Sequence, residues 1–457
     1  MYRRIERAIK PTKYDDFHTA SLWQVDILGL RLCPMKKSYQ LGAVTRANDC
    51  AHARRVFPIV IGIWLVLLTS GVNAASPEKP KVPSNEAFAA SRQTGDASVG
   101  PSSVGLAAGQ PTLDQMIGQM LMFGFRGLTP EAPNLVRVRD QLRNGTIGGV
   151  IIMSRNVSSS ERLKRLIASI HAAGAAITPF VAVDQEGGRI QRLSPQKGFR
   201  NFPSAVEIAA SSDPKDARRI YRELATELAD HGINLNLGPV LDLATNSASP
   251  IIAGLDRSYG TDPTTVTRFA RAFVDGHRDV GLLTAAKHFP GHGSSAVDSH
   301  QELVDMSTSW TKTELVPYAA LAQDDQLDIV MVGHLYHPEV AGDVPIPATL
   351  SKQAIDGLLR RELGFKGVVI TDDMEMGAIR HHYGLRDSIV RAVNAGADIL
   401  LFTNIIKNDP SMPERVQSIV QSAVKEGTIS RERIRASYER IMNLKGQLEP
   451  TPKFSRN

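Results

Sequence analysis

Eight short apolar runs, separated by stretches with helical patterning, leave this chain few folds to choose from. They fall at 121–125, 149–153, 180–183, 233–237, 283–286, 329–332, 368–370 and 399–402. Each is too short for a helix and is bounded by polar or turn residues, as a buried strand would be. Helix signals lie between them. The 213–230 stretch opens on a capping Asp213, has Pro214 in its first turn and places apolar residues at helical spacing. The 351–363 stretch opens on Ser351 and sets Ile355, Leu358, Leu359 and Leu363 on one face. Alternating strand and helix argue for a parallel α/β architecture. A count of eight favours a single (β/α)8 barrel of the TIM type over an open doubly wound sheet. No Gly-rich dinucleotide fingerprint follows the first strand, which weakens the open-sheet alternative further.

The region before the first strand has a different character. Of 53 Lys and Arg and 47 Asp and Glu in the 457 residues, 11 and 5 lie in residues 1–55. The net charge of +6 therefore belongs to that segment, and the remainder is neutral. A neutral barrel gives no ground for a nucleic-acid partner. Arg54 and Arg55 precede an apolar run at 56–69, and small residues follow it through Ala75. Positive flank, short apolar core and small-residue exit make a secretory signal. The run falls short of the roughly 20 residues of a membrane span. Export to the periplasm is expected, with membrane contact through this segment alone, as an anchor if it is not cut. Met35 is an alternative start. Residues 76–111, rich in Pro, Ser, Gly and Ala, read as a disordered linker. The barrel is expected over 112–447, with a tail at 448–457. Cys33 and Cys50 both precede the signal, so no disulfide or thiolate metal site is expected after it, and no lipidation cysteine follows the apolar run.

Polar, reactive residues crowd the ends of the strands, where barrel enzymes place their chemistry. Asp184 and Arg192 follow the third strand within D-Q-E-G-G-R-I-Q-R and could hold the hydroxyls of a polyhydroxylated ligand. Lys287 and His288 end the fifth strand, in K-H-F-P-G-H-G-S-S-A-V-D-S-H. Further along, Asp298 stands two residues from His300, and a carboxylate beside a histidine can orient the ring and raise its pKa for acid/base work. Asp372 and Asp373 close the seventh strand. Neighbours in a strand point to opposite faces, so one of the two is expected in the site, and the pattern does not say which. Arg257, by its surroundings alone, reads as a surface charge. His288, His292, Asp298 and His300 could together suit zinc, but Pro-Gly interrupts their spacing and no metal is expected.

The motifs K-H-F-P-G-H-G…D-S-H, D-Q-E-G-G-R-I-Q-R and V-V-I-T-D-D-M-E-M-G-A-I together resemble glycoside hydrolase family 3. The similarity is to its single-domain bacterial β-N-acetylglucosaminidase branch and covers about residues 112–445. It implies a (β/α)8 barrel, no cofactor, and exo-acting removal of β-linked N-acetylglucosamine with retention. It implies Asp372 as nucleophile, His300 as acid/base and Asp298 as its dyad partner. Asp184, Arg192, Arg257, Lys287 and His288 would bind sugar, and His292 would support the loop. Enzymes of that branch recycle peptidoglycan in the cytoplasm. With an export signal, the expected substrates are peptidoglycan fragments or chitooligosaccharides outside it, and the expected partner is a small carbohydrate bound by a monomer. A β-glucosidase on the same scaffold and a silent sugar-binding protein are the competing readings.

Overall fold

The computed structural model describes residues 110–448. The signal segment and most of the linker and tail expected above lie outside the described residues. Eight parallel strands form the sheet: β1 (Leu121–Gly124), β2 (Gly149–Ile152), β3 (Phe180–Val183), β4 (Leu235–Asn236), β5 (Leu283–Phe289), β6 (Ile329–Val332), β7 (Val368–Thr371) and β8 (Leu400–Phe402). Their spatial order follows the sequence, with β1 pairing β8 at one end. Every barrel strand overlaps one of the runs read as strands.

The seam between β7 and β8 is thin. One bridge, Ile370 to Ile399, joins the strands, with the Ile399 amide donating to Val369 O and the Thr371 amide to Ile399 O, both at 3.0 Å, and the Met374 amide reaching Leu401 O just beyond; side chains reinforce it. The carboxylate of Asp398 accepts from the Val369 amide at 2.9 Å, and the Thr371 hydroxyl accepts from the Leu401 amide at 3.0 Å. Asp398 is fully buried and is held in turn by Arg360, Arg433, Arg440 and Ser437. A buried carboxylate needs such saturation, because an uncompensated charge out of water is costly.

Strand residues such as Val150, Val181, Ala285, Val330 and Ile370 are wholly buried, as barrel strands covered on both faces require. The helix Pro214–Asp230 starts as read, with the Asp213 side chain accepting from the Asp216 amide. The second helical stretch differs. Gln353–Glu362 is wound with i to i+5 bonds, among them Leu363 N–H to Leu358 O. The wider turn rotates the apolar face: Ala354, Ile355, Gly357 and Leu359 are buried, while Leu358 and Leu363 are only partly so. No helix among the described residues is long and apolar enough to cross a membrane.

Candidate active site

At the C-terminal ends of the strands, five charged side chains from three parts of the chain lock together. Lys287, from β5, has a side chain only 3% exposed and bridges two carboxylates, Asp184 at 2.8 Å and Glu186 at 2.7 Å. Asp184 also accepts from Arg192 at 3.2 Å. Glu186 takes both prongs of the Arg257 guanidinium, at 2.8 and 2.7 Å. The fork geometry fixes orientation as well as charge. Burial alone would raise the pKa of both carboxyls, but the surrounding Lys287 and arginines hold them well below their usual values. Arg257 is thus no surface residue: its side chain is 10% exposed and turned inward by Glu186.

Beside this cluster lies a second one centred on Asp242, which is completely buried. One of its oxygens accepts from the amides of His288 at 3.1 Å and His292 at 2.8 Å. The other meets His288 Nδ1 at 2.7 Å, so that nitrogen carries the proton and Nε2 faces Arg257 at 3.4 Å. The Lys287–His288 and Phe289–Pro290 peptide bonds are cis.

The two aspartates left open by the sequence separate cleanly. Asp373 is spent on structure: its oxygens accept from the amides of Thr403 and Glu375 and from the Thr403 hydroxyl. Asp372 keeps one oxygen without a hydrogen bond among the described residues, the other accepting from the Asp373 amide at 2.8 Å. Burial pushes the pKa of Asp372 up, but His334, His288 and His300 outweigh it and leave the group ionised. Its amide continues the barrel ladder, donating to Val332 O at 3.0 Å, so the carboxylate stands on rigid backbone.

His300 approaches from the loop after β5. Its Nδ1 lies 2.7 Å from Asp298, which also accepts the His300 amide at 2.9 Å. Desolvation lowers the pKa of His300, but the Asp298 bond, its charge and that of Asp372 raise it above the ordinary value. The loop is already docked. His300 O accepts from the Gly377 amide at 3.0 Å and Ser299 O from the Ala378 amide at 3.4 Å. Only glycine allows this approach, since a Cβ on Gly377 would stand 2.1 Å from Gln301 O. His292 carries the loop's other side, as expected: it is buried, with Nδ1 2.7 Å from the Ser295 hydroxyl and Nε2 3.1 Å from that of Ser299.

The eight residues expected to serve catalysis or sugar binding all come to this one end of the barrel. Glu186, Asp242 and His334 were not among them. His334 is fully buried, donates from Nε2 to Asp373 O at 2.9 Å and meets the Thr349 hydroxyl through Nδ1. It follows β6 directly, so the rule applied to the other strands would have found it. Among the described residues there is no cluster of three or more His, Cys, Asp or Glu arranged for a metal.

Comparison with known proteins agrees with this geometry. Residues 112–444 match the glycosyl hydrolase family 3 N-terminal domain. The chain is 30% identical to β-hexosaminidase A of Pseudoalteromonas piscicida over 74% of its own length, and spans 61% of that relative. It is 34% identical to β-hexosaminidase LpqI of Mycobacterium tuberculosis, covering 78% of this chain and 88% of that one. A solved family 3 β-N-acetylglucosaminidase from Paenibacillus sp. str. FPU-7 is similar at TM-score 0.68 and 34% identity, over 74% of this chain and 63% of that one. With its barrel, its three motifs and these relatives in agreement, the chain belongs to glycosyl hydrolase family 3.

Proposed function

We propose that this glycosidase removes terminal β-linked N-acetylglucosamine from peptidoglycan fragments or chitooligosaccharides by a two-step retaining mechanism. The observation that carries the reading is the pairing of an ionised Asp372, with one oxygen uncommitted, and a docked Asp298–His300 pair close enough for each charge to shift the other.

In the first step Asp372 attacks the anomeric carbon and the glycosidic bond breaks. His300, protonated because Asp298 favours its charged form, gives its Nε2 proton to the leaving oxygen. In the second step the neutral ring takes a proton from water, which displaces Asp372 and releases the sugar. Asp298 holds the ring through Nδ1 and so leaves Nε2 as the exchanging atom. Asp184, Arg192, Lys287, Arg257 and His288 would take the hydroxyls of the terminal sugar from beneath. Glu186 and Asp242 serve by aiming those cations and that imidazole. The mechanism asks for no metal or organic cofactor.

The assignment is tested with the full chain on an aryl β-N-acetylglucosaminide and on the matching glucoside. A fluorinated glycoside that slows the second step should leave a sugar adduct on Asp372, seen by peptide mass spectrometry. An adduct elsewhere, or undiminished turnover in Asp372→Ala, would remove Asp372 from this role. We place the enzyme outside the cytoplasm, as a monomer that enters through the 56–69 segment; cell fractionation and mass spectrometry of the mature N-terminus test that placement.

A further inference from the structure

Glu314 has no part in the mechanism above, yet it sits directly under the catalytic loop. It lies in the turn Lys312–Leu315, just before the helix Val316–Gln323, and is 1% exposed. Its Oε2 accepts from the Leu243 amide at 3.1 Å, and the Ser294 amide of the loop lies near the same carboxyl. Among the described residues its Oε1 has no hydrogen-bond partner, and neither has the buried hydroxyl of Tyr318. Gly291, at the root of the loop, packs flat against the carboxyl, where a Cβ would come within 2.6 Å of Oε2. The segment that receives Glu314 also grips the loop. Asn246 donates through its amide to Gly293 O at 3.2 Å and through its side chain to Ser295 O at 3.0 Å.

No ion pair reaches Glu314 among the described residues. The titratable groups facing it are Asp242, from the segment after β4, and Tyr318, from the helix that follows its own turn. Behind Asp242 stand His288 of β5 and His292 of the loop. A carboxylate here would be a second buried anion beside Asp242, with no cation of its own. A neutral carboxylic acid avoids that repulsion and keeps the same shape.

We propose that Glu314 is a positioning residue that works as a neutral carboxylic acid beneath the loop root, and that ionising it unseats the loop carrying Asp298 and His300. The inference rests on the acid/base reading of that pair. Burial first, and then the charge of Asp242, push its pKa up to about 8. The loop is therefore seated below that value and loses its seat as pH rises through it.

The test compares Glu314→Gln and Glu314→Ala in the full chain, measuring kcat and KM for an aryl β-N-acetylglucosaminide from neutral to alkaline pH. Gln has the same outline and never ionises. It should keep most of kcat at neutral pH and hold its rate further into the alkaline range, the remaining fall being that of His300. Ala should lose kcat by roughly 100-fold with little change in KM, the effect of misplacing a catalytic group. Should Ala fail to fold, infrared spectroscopy supplies the second reading. The parent should show a protonated-carboxyl band that titrates near pH 8 and is missing from Glu314→Gln. An unchanged alkaline limb in Glu314→Gln, a loss in Gln as deep as that in Ala, or no titrating band would overturn the proposal. Turnover that survives His300→Ala would instead strike at the acid/base reading and leave the band untouched.

Discussion

The site has two halves built on opposite terms. The floor, made by Asp184, Glu186, Lys287, Arg257, Asp242 and His288, is almost dry, and its charges are paired across the barrel before any sugar arrives. The loop half leaves the His300 side chain 60% exposed and rests on a few contacts at its tip and root. Buried pairs cost desolvation, so the floor is rigid by necessity: moving one member strands its partners. A movement of the tip that carries Asp298 and His300 together strands no buried charge, whereas the root, whose His292 amide donates to Asp242, belongs with the floor. Stability should therefore be concentrated in the floor and rate in the loop.

Substitutions can break or sharpen that division. Glu186→Ala tests it hardest, because it leaves Lys287 and Arg257 facing each other without their shared anion. Unfolding stability should fall by about 3–5 kcal/mol, the usual effect of removing one partner from a buried pair. A stability close to the parent's in denaturant titration would erase the distinction. His300→Ala should do the reverse, lowering kcat by roughly 10²–10⁴-fold as loss of a general acid does, with an unfolding midpoint near the parent's. Gly377→Ala should come next. The added carbon forces the loop off its seat, so kcat should fall by about tenfold to 100-fold, again with little change in stability.

The smallest effect is a displacement along the pH axis. In the proposed mechanism His300 holds its proton in the first step, so kcat/KM should fall as pH rises through its raised pKa. Asp298→Asn removes the anion that holds the proton on, and the alkaline limb should move to lower pH. The same sign applies to stability. A histidine with a raised folded pKa stabilises most below its unfolded value near 6.5, and that contribution is lost as pH rises through the folded one. A limb that stays in place in Asp298→Asn would mean that some other group sets it.

The barrel was readable because its strands are covered on both faces, and continuous apolar runs such as Ile329–Val332 record that directly. Residues at strand ends, such as Asp184, Lys287 and His288, were readable for a related reason: position on a strand end is a local property. Glu186, Asp242 and Glu314 were not, since each acts by holding something distant in sequence. Glu186 reaches Arg257 across 71 residues, and Glu314 reaches Leu243 across 71. Composition misjudged Arg257 for the same cause, because nothing near it in the sequence shows the carboxylate waiting for it. The choice between Asp372 and Asp373 depended on Thr403, which only the closure of β8 against β7 brings within reach.

The seat at Gly377 also sets how often the cleft can exchange its contents. Two backbone hydrogen bonds and the His292–Ser299 contact hold the tip of the loop. Each is worth about 1 kcal/mol net, and the entropy of ordering the loop offsets part of that, so the seat is shallow. A shallow seat is one that thermal motion can open. Product can leave by such thermal openings without a dedicated trigger. The His300 backbone is anchored at Gly377, five residues beyond Asp372, so whenever the loop returns it is registered against the strand that carries Asp372.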